Sequence, residues 1–382
     1  MKKIPFGKPL IGENEKKEIG KVLDSHILTH GPKCIEFEDE FKKFVGTKHA
    51  ITTSNCTTAI HLCLEVLGIK NNDEVIVPAM THVATAHAVE HTGAKPVFVD
   101  VNEKTGCISI DKIEKAITSK TKAIIVVHFV GLPCEMDKII KIAKKNNLKI
   151  IEDSATALGA MFKEQRTGSI GDFGCFSFYP TKHITSMEGG MIVTNSDQYA
   201  SKIKKIKAFG YNKNLNERSL PGLYDIDELG WNYRMSEGNA AIGLEQLKKI
   251  HHFFKCRKEN AEIIFKILKS AKDKISLIPL EYYDCKSSWY CINLMMKDNL
   301  INLRNDLIKK INDLGIQTSI HYPVALPFSM YYKKKYGYNK NQFPNSYKIG
   351  QSTISLPCAP HLTRDDAEYI GNQVIKVLKN LN

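Results

Sequence analysis

The sequence predicts an α/β protein with a mainly parallel central sheet, flanking helices and a smaller α+β C-terminal domain. From residue 49 to about residue 195, short apolar runs alternate with longer amphipathic ones. Strands separated by about 10 to 15 helical residues favour crossover connections and therefore parallel strands. A chain of 382 residues is long for one compact core, which indicates two domains.

The first half of the chain supplies most of the predicted sheet. Its strand candidates are AITTS, EVIVPA, KPVFVDV, AIIVVHF and KIIED, and its helix candidates are CTTAIHLCLEVLGI, HVATAHAVEHTG, SIDKIEKAI and MDKIIKIAKKNN. Ligands of such sheets bind beyond the carboxyl ends of the strands. The residues predicted at these ends are Ser54, Asn55, Pro78, Thr81, His128 and Asp153. This edge is therefore the predicted active-site face.

Beyond residue 195 the pattern changes. Residues 210–230 are polar and rich in Gly, Pro and Asn, which predicts a long loop. Helical periodicity then predicts one or two long helices from about residue 236 to residue 271. The rest contains a strand candidate SSWYCINLMM, a helix candidate NLRNDLIKKINDLG, an edge-like TSIHYPV and a final helix DDAEYIGNQVIKVLKNL. We predict a large domain of residues 1–249 and a small α+β domain of residues 250–382.

Composition argues against several classes of protein. Apolar residues make up 43% of the chain and charged residues 25%, as in ordinary globular proteins. No apolar run approaches the roughly 20 residues that a membrane span needs, and MKKIPFGKPLIGENE lacks the apolar core of a signal peptide. The ten cysteines form no CxxC pair, which is typical of reduced thiols. We therefore expect a cytoplasmic protein without a membrane partner.

The net charge of +13 raises the alternative of a nucleic-acid-binding protein. The lysines are spread in short clusters, such as residues 202–207, mostly at helix-like spacing. Only residues 331–336 mix basic and aromatic side chains. Solvated helix faces are the favoured interpretation, so we expect no nucleic-acid partner. Part of the positive excess is available for an anionic substrate.

The segment FSFYPTKHITSMEGGMIVTN, residues 176–195, carries the main chemical signal. Its strand-like start ends at a Pro-Thr turn, which Lys182 follows directly. Aromatic neighbours reduce the solvation of an ammonium group, which favours the neutral amine that a Schiff-base lysine requires. Upstream, LKIIED ends on Asp153, the residue type that binds the ring nitrogen of pyridoxal phosphate (PLP). Asp153 alone is equally consistent with a helix N-cap, but the pair predicts a PLP enzyme.

PLP also requires a phosphate site and a flat side chain beside its ring. Thr57 and Thr58 follow a strand-to-helix junction, where backbone N–H groups and hydroxyls favour a dianion; simple N-capping is the alternative. Ser177 alternates with two phenylalanines and is either a further phosphate ligand or an ordinary half-buried serine. His82, at a strand end, is a candidate for stacking on the ring, although a lone histidine there is more often structural.

One short pattern suggests a metal. His87, Glu90 and His91 match HxxEH, in which two histidines one helical turn apart share a zinc ion. The sequence shows no obvious third ligand, and this helix lies between two predicted core strands. Packing is the favoured interpretation, so we expect no metal.

Further motifs extend along most of the chain: Gly31-Pro32, EVIVPAMTHVAT, VHFVGLPCEMDKI, IEDSATALGA, the lysine–EGG box, NYRM and SLPCAPHLT. With these motifs the chain resembles the DegT/DnrJ/EryC1/StrS family of PLP-dependent nucleotide-sugar aminotransferases. The resemblance implies the PLP-dependent transferase fold type I of aspartate aminotransferase. It also implies a homodimer whose active sites are shared between subunits.

The resemblance assigns each candidate a role in binding the cofactor. It implies that Lys182 holds PLP as a Schiff base and that Asp153 pairs with the ring nitrogen. It places His82 against the ring, where the family usually has Trp, Phe or Tyr. The implied phosphate ligands are Thr57, Thr58 and Ser177.

Four further residues follow from the same resemblance. Asn232 would reach the phosphate of the neighbouring subunit's cofactor, and His321 would lie near the sugar nucleotide. Arg234 is a partner for the carboxylate of the amino donor or, equally, part of a structural salt bridge. Thr156 stands where Gln or His is common beside the phenolic oxygen of the cofactor, and we expect this shorter side chain to need a bridging water.

The implied reaction is a ping-pong transfer of the amino group of L-glutamate, which leaves as 2-oxoglutarate, to a keto sugar nucleotide. Within the family, a K-x-[IL]-T-x-x-EGG box tends to accompany 4-keto-6-deoxy sugars, and residues 182–190 match it. The C4 ketone is therefore favoured over the C3 ketone. Two alternatives from other classes are a PLP-binding protein without turnover, which would be expected to lack Lys182, and a nucleic-acid-binding protein.

Overall fold

The computed structural model describes residues 2–212, 219–220 and 223–381. The loop predicted at residues 210–230 therefore falls partly outside the described residues, at 213–218 and 221–222. The helices and strands up to residue 248 are α1 (Glu13–Leu23), α2 (Pro32–Val45), β1 (His49–Thr53), α3 (Cys56–Val66), β2 (Glu74–Pro78), α4 (Val83–His91), β3 (Lys95–Val99), α5 (Ile110–Ala116), β4 (Thr121–Val127), α6 (Met136–Lys145), β5 (Lys149–Asp153), β6 (Met161–Phe162), β7 (Gln165–Arg166), β8 (Phe173–Ser177), β9 (Gly190–Thr194), α7 (Asp197–Ile206) and α8 (Glu237–Lys248).

The remaining elements alternate between short strands and helices. They are α9 (Ile250–Leu268), β10 (Ile275–Leu277), β11 (Glu281–Tyr282), β12 (Cys285–Lys286), β13 (Ile292–Met296), α10 (Arg304–Asp313), α11 (Met330–Tyr336), α12 (Pro344–Ser352), β14 (Thr353–Leu356) and α13 (Arg364–Lys379). The predicted strand SSWYCINLMM is thus limited to its second half. The segment TSIHYPV forms only a single bridge, between Ser319 and Ser355, instead of an edge strand.

Seven strands form the central sheet in the order β1-β9-β8-β5-β4-β2-β3. Strands β3, β2, β4, β5 and β8 pair in parallel, and β9 is antiparallel to both of its neighbours, β8 and β1. The prediction of a mainly parallel sheet with flanking helices is therefore confirmed. The central strands are buried along most of their length, because helices cover both faces of a parallel sheet.

The register of the sheet brings the predicted strand ends together. Asp153, the last residue of β5, pairs with Val127 of β4 on one side and with Cys175 of β8 on the other. Ser177 lies two residues beyond Cys175 on the same strand. The carboxyl ends of neighbouring parallel strands therefore place Asp153 and Ser177 at one edge, where ligands of such sheets bind.

The C-terminal region is built on a three-stranded antiparallel sheet, β10-β13-β14, and has the predicted α+β character. Helix α9 begins at Ile250, and its first residues pack with the helices of the large domain, including Phe253. Its later residues, such as Ile264 and Leu268, belong to the C-terminal core. A domain boundary at residues 249/250 stays a prediction. In the described part of the chain, none of the helices is both long and apolar enough to cross a membrane.

Candidate active site

A cavity of about 380 Å³ opens at the carboxyl edge of the central sheet. Six of the predicted site residues line it: Thr57, His82, Asp153, Thr156, Ser177 and Lys182. They come from α3, the start of α4, β5, β8 and the turns that follow β5 and β8, which a parallel sheet brings to one edge. Thr58, Asn232, Arg234 and His321 are not among the residues that line the cavity.

Lys182 lies in a tight turn directly after β8. Its N–H donates to the carbonyl oxygen of Tyr179 at 2.9 Å, which closes the turn through Pro180. The side chain is half-buried, and its Nζ lies 5.2 Å from the centroid of the Tyr290 ring. The aromatic surroundings that the sequence predicted for Lys182 therefore include Tyr290, a residue of the C-terminal region.

Asp153 is fixed in orientation by two hydrogen bonds. Its Oδ2 accepts from the Thr85 hydroxyl at 2.8 Å, and its Oδ1 accepts from the Ala155 N–H at 3.1 Å. Only 5% of the residue is exposed. Residues 154–160 form turns and no helix, so Asp153 is not the N-cap that the alternative interpretation required. Each carboxylate oxygen has a second lone pair, so Asp153 can still accept a bond from a protonated ring nitrogen.

The N-terminus of α3 forms the second part of the site. Asn55 is its N-cap and accepts from the Thr58 N–H at 2.9 Å. The first N–H groups of a helix have no intrahelical acceptor, so those of Cys56 and Thr57 are available to an anion. The second glycine of the EGG box lies beneath this turn, because a Cβ on Gly190 would come within 2.4 Å of the Asn55 carbonyl carbon.

The two threonines of α3 differ in their hydrogen bonding. The Thr58 hydroxyl donates to the Asn55 carbonyl oxygen at 2.8 Å, and its N–H is bound to the Asn55 side chain. A phosphate dianion only accepts, so Thr58 contributes to it only if its hydroxyl turns away from Asn55. The side chains of Thr57 and Ser177 face the cavity. This arrangement favours Thr57 and Ser177 as phosphate ligands over Thr58.

We predict that Thr57→Val mainly weakens the binding of the cofactor, whereas Thr58→Val mainly destabilises α3. Losing one hydrogen bond to a charged group is expected to raise the Kd of PLP about 10- to 100-fold for Thr57→Val. Thr58→Val removes a capping contact and is expected to lower the free energy of unfolding by about 1 kcal/mol while changing the Kd much less. Fluorescence titration with PLP and urea denaturation measure the two quantities. Equal losses of PLP affinity in both variants would contradict this assignment.

His82 forms the N-cap of α4 and one wall of the cavity. Its Nδ1 accepts from the Ala84 N–H at 3.2 Å, which fixes the plane of the ring. Burial and the neighbouring charge of Lys182 lower the pKa of His82, which favours the neutral imidazole. Thr156 lies deeper in the cavity wall, where its hydroxyl donates to the His128 carbonyl oxygen at 3.1 Å.

The other predicted residues lie outside this cavity. Asn232 is exposed, and the Arg234 guanidinium is hydrogen-bonded to His30 Nε2 at 3.2 Å and lies 4.8 Å from the Phe209 ring centroid. His321 is buried behind Tyr322, which does line the cavity. The predicted contacts of Asn232 and Arg234 with ligands therefore need a second subunit or a bound substrate.

Sequence reasoning missed several residues of the cavity wall. Tyr322, Tyr179 and Glu188 line it together with the predicted residues. Glu188 belongs to the EGG box and Tyr322 follows His321 directly, so both lie in motifs that the sequence had singled out. Burial raises the pKa of Tyr322 well above its ordinary value, so its hydroxyl stays a hydrogen-bond donor at neutral pH.

His321 is held neutral by its surroundings. Burial, followed by the charge of Lys182, lowers the pKa of His321 to about 3. Its Nδ1 lies 2.8 Å from the Ser355 hydroxyl, which itself donates to Asn293 Oδ1 at 2.8 Å. The Ser355 oxygen therefore accepts from His321, which places the imidazole hydrogen on Nδ1 and leaves Nε2 as an acceptor.

The lowered pKa of His321 predicts that the folded protein loses stability in acid. The folded-state pKa of His321 lies below that of the unfolded chain, so its stabilising contribution is complete above about pH 6.5 and is lost as the pH falls. Between pH 7 and pH 5 the loss from this residue is about 2 kcal/mol. Urea denaturation at fixed protein concentration should show His321→Gln losing about 2 kcal/mol less than the unaltered protein over this range. His252→Gln, at an exposed position, is the control and should match the unaltered protein.

The HxxEH pattern of His87, Glu90 and His91 does not belong to a metal-binding cluster among the described residues. Within the described residues, no group of three or more His, Cys, Asp and Glu side chains is arranged to hold a metal ion. The His87 ring instead packs against Tyr331 and Tyr332 at centroid distances of 5.8 Å each. Glu90 accepts from the Tyr336 hydroxyl at 2.8 Å and pairs with Lys335. The packing interpretation of this helix agrees with these contacts.

The donors and acceptors of the cavity fit PLP. A lysine amine, a buried carboxylate, a neutral imidazole and a helix N-terminus with free N–H groups all face one space. When bound, PLP supplies an electron sink for bonds at the amino-bearing carbon. The fold and the cavity together define a PLP-dependent transferase.

Comparison with known proteins agrees with this class and narrows it. The family model of the DegT/DnrJ/EryC1/StrS aminotransferase family matches residues 9–375, so the chain belongs to this family. It is 36% identical to the spore coat polysaccharide biosynthesis protein SpsC of Bacillus subtilis, over 98% of this chain and 97% of SpsC. It is also 36% identical to the GDP-perosamine synthase of Escherichia coli O157:H7, over 98% of both chains.

A solved structure shows the same architecture with the cofactor. The putative sugar aminotransferase Spr1654 of Streptococcus pneumoniae, known in PLP and PMP forms, superimposes with a TM-score of 0.93 at 29% identity. The PMP-form match covers 99% of each chain. The protein is therefore a PLP-dependent sugar aminotransferase, as the sequence predicted, with PLP as its cofactor.

Proposed function

We propose that the protein transfers the amino group of L-glutamate to the C4 ketone of a nucleoside-diphosphate-linked 4-keto-6-deoxy sugar. The observation that carries this proposal is the convergence of Lys182, Asp153 and the α3 N-terminus on one cavity. Its open side leaves room for a large acceptor. The resulting amino sugar would serve the synthesis of a polysaccharide or another glycan.

Five residues of the cavity have defined tasks in this reaction. The Lys182 amine would take the proton from the α-carbon of glutamate as general base and give it to the C4′ carbon of the cofactor as general acid. At the acceptor stage it would move a proton in the reverse direction, from C4′ to C4 of the sugar. The Asp153 carboxylate keeps the ring nitrogen of the cofactor protonated. Thr57, Ser177 and the first N–H groups of α3 bind the phosphate. His82, which lines the cavity, would pack against the cofactor ring and exclude water from that face.

The assignment of C4 rests on residues 182–190. Ile184 and Thr185 of this box are buried, and the Thr185 hydroxyl donates to the Phe178 carbonyl oxygen at 3.1 Å. Their side chains pack on the buried side of the turn, whereas Glu188 lines the cavity and can contact a bound sugar. Within the box, Glu188 is thus the residue best placed to distinguish the two ketone positions. A C3 ketone is the alternative acceptor.

We further propose a homodimer with shared active sites. Leu23, Ile27, Leu28 and Ile35 are 50–68% exposed. The Leu28 carbonyl oxygen accepts from the Glu237 N–H at 3.0 Å, and Asn239 Nδ2 donates to the Glu188 carbonyl oxygen at 2.5 Å. The start of α8 therefore connects the segment of these apolar side chains with the cavity edge at Glu188. A second subunit on this surface would bring its Asn232 towards the cofactor phosphate.

A charge in this apolar surface is expected to dissociate the dimer. Ile27→Asp buries a carboxylate at the interface, which should weaken association by about 30-fold or more. Sedimentation equilibrium measures the shift from dimer to monomer, and PLP affinity should fall with it. Met330→Asp, at a residue that is 91% exposed on α11, is the matched control and should leave the mass unchanged. A monomeric unaltered protein with full activity would contradict the shared site.

Two features support a cytoplasmic location and an anionic small molecule as the binding partner. Ten free cysteines are consistent with the reducing conditions of a cytoplasm. Many lysines of α1 and α2 pair with a carboxylate one turn away, among them Lys21 with Glu18 and Lys42 with Asp39. The positive charge is thus partly balanced on helix faces, which favours an anionic small molecule over a nucleic acid.

A panel of sugar nucleotides tests the proposal. The purified holoenzyme is incubated with L-glutamate and with 4-keto-6-deoxy or 3-keto sugars linked to UDP, GDP or dTDP, and NMR locates the new amine. Amination at C4 of one acceptor is the expected result. Amination only at C3 would overturn the position, and amination of free keto acids alone would overturn the substrate class.

A further inference from the structure

A small cavity of about 20 Å³ lies next to the turn that carries Lys182. Lys182 lines both this cavity and the active-site cavity. Its other walls come from the N-terminal segment around Lys8, from α9 and from the segment near Pro360. Two of its lining side chains, those of His183 and Arg257, are only 3% and 2% exposed. A volume of about 20 Å³ is large enough for about one water molecule.

Two buried polar atoms beside this cavity lack partners. Among the described residues, neither His183 Nδ1 nor Arg257 Nε has a hydrogen-bond partner. The Cys358 thiol lies near the guanidinium, but it donates to the Trp289 carbonyl oxygen at 3.1 Å, and sulfur is a weak acceptor. Buried polar atoms in proteins are almost always hydrogen-bonded, to protein or to ordered water.

The two atoms have opposite hydrogen-bonding character. His183 Nε2 lies 2.9 Å from the Ser288 carbonyl oxygen, which only accepts, so the imidazole hydrogen is on Nε2. Burial and the charge of Arg257 lower the pKa of His183 well below its ordinary value, so Nδ1 carries a free lone pair. Arg257 Nε can only donate. A ligand that satisfies both atoms must donate one hydrogen bond and accept another.

The same two side chains join the Lys182 turn to the C-terminal region. Arg257 donates to the carbonyl oxygens of Lys182 at 3.4 Å and of Tyr290 at 3.1 Å. His183 is bonded to Ser288, two residues before Tyr290. The ring of Tyr290 in turn contacts the Lys182 amine. Arg257 therefore influences both the backbone and the side-chain surroundings of Lys182, although it is not among the residues that line the active-site cavity.

We propose that this cavity binds one ordered water molecule, which donates to His183 Nδ1 and accepts from Arg257 Nε, and that Arg257 is a positioning residue for Lys182. Water is the small ligand that can both donate and accept here. A halide only accepts and would leave His183 Nδ1 unsatisfied, whereas an ammonium ion only donates and would leave Arg257 Nε unsatisfied. The positioning role rests on Lys182 being the cofactor lysine; the water site does not.

A crystal structure of the holoenzyme soaked in bromide tests the ligand. The expected result is a density peak within about 3 Å of both His183 Nδ1 and Arg257 Nε, without anomalous signal at the bromine edge. An anomalous bromide peak at this place would overturn the water assignment in favour of an anion site. An empty cavity at high resolution would overturn the site altogether. This result does not depend on which substrate the enzyme uses.

Variants test the positioning role. Arg257→Lys keeps the charge but loses Nε and the planar fork, and a displaced Lys182 is expected to lower kcat roughly 10-fold or more. The KM for glutamate should change much less, and the visible circular dichroism of bound PLP should change because its amine anchor is displaced. Arg304→Lys is the matched control, since Arg304 also has an unpartnered guanidinium nitrogen but belongs to α10. Its kcat and dichroism should match those of the unaltered protein.

A double-variant cycle separates this role from general packing. If one water joins the two side chains, His183→Phe and Arg257→Lys remove the same connection, and the double variant should lose little more activity than the worse single variant. Fully multiplied losses, or an unchanged dichroism spectrum in Arg257→Lys, would overturn the positioning role. If the Arg257 variants fail to fold, the bromide experiment on the unaltered protein still decides the water site.

Discussion

Lys182→Ala is expected to reduce kcat by at least about 10⁴-fold, because it removes both the covalent anchor of the cofactor and the general base. Among the described residues the cavity offers no substitute amine: its other lining residues carry hydroxyl, carboxylate, carboxamide, imidazole, thiol or apolar side chains. The variant should still fold and bind PLP, since the phosphate contacts at the α3 N-terminus are unaffected. Borohydride reduction followed by peptide mass spectrometry should attach the cofactor to Lys182 in the unaltered protein.

Lys207→Met provides the control for this experiment. Lys207 is a half-buried lysine whose Nζ donates to the Thr52 carbonyl oxygen at 2.9 Å, and it does not line the cavity. This variant should remain active and should still attach the cofactor at Lys182. Attachment at a different lysine in the unaltered protein, or substantial turnover by Lys182→Ala, would contradict the assignment.

Asp153→Asn is expected to have the second-largest effect, a loss of roughly 100- to 1,000-fold in kcat. The amide keeps the shape of the side chain: its oxygen can accept from the Ala155 N–H and its NH2 group can donate to the Thr85 hydroxyl oxygen, so the fold should be retained. A neutral amide no longer favours a protonated ring nitrogen, which weakens the cofactor as an electron sink. The Kd of PLP should change less than in Thr57→Val, because the phosphate contacts remain.

Thr85→Val is the matched control for Asp153. It removes the hydrogen bond that orients Oδ2 but keeps the negative charge, so the loss in kcat should be about 10-fold or less. Steady-state kinetics with glutamate, together with the absorption of bound PLP, distinguish the two variants. Equal effects of Asp153→Asn and Thr85→Val would mean that orientation, and not charge, is the contribution of Asp153.

Much of the site could be predicted because its residues lie at the ends of regular elements. Strand periodicity placed Asp153 at the carboxyl end of β5, and the parallel sheet brings this end beside Ser177 and the lysine turn. Local chemistry at a strand-to-helix junction likewise indicated an anion site at Thr57. These inferences need only the period of the apolar pattern and the common direction of parallel strands.

The remaining features depend on contacts between distant segments. The four-stranded sheet β11-β12-β6-β7 consists of two-residue strands from both halves of the chain, which are too short to give a periodic pattern. Tyr290 and Tyr322 reach the site from the C-terminal region through tertiary packing. The burial of Arg257 could not be predicted either, because its partners are backbone carbonyl groups that carry no sequence signal.

Transfer of labelled nitrogen is the most direct test of the central claim. The holoenzyme is incubated with ¹⁵N-L-glutamate and a nucleoside-diphosphate-linked 4-keto-6-deoxy sugar, and the sugar nucleotide is analysed by mass spectrometry and NMR. We predict ¹⁵N bound to C4 of the sugar and an equal amount of 2-oxoglutarate, with no label transferred by Lys182→Ala. Formation of 2-oxoglutarate without ¹⁵N in any sugar nucleotide of the panel would contradict the proposed reaction.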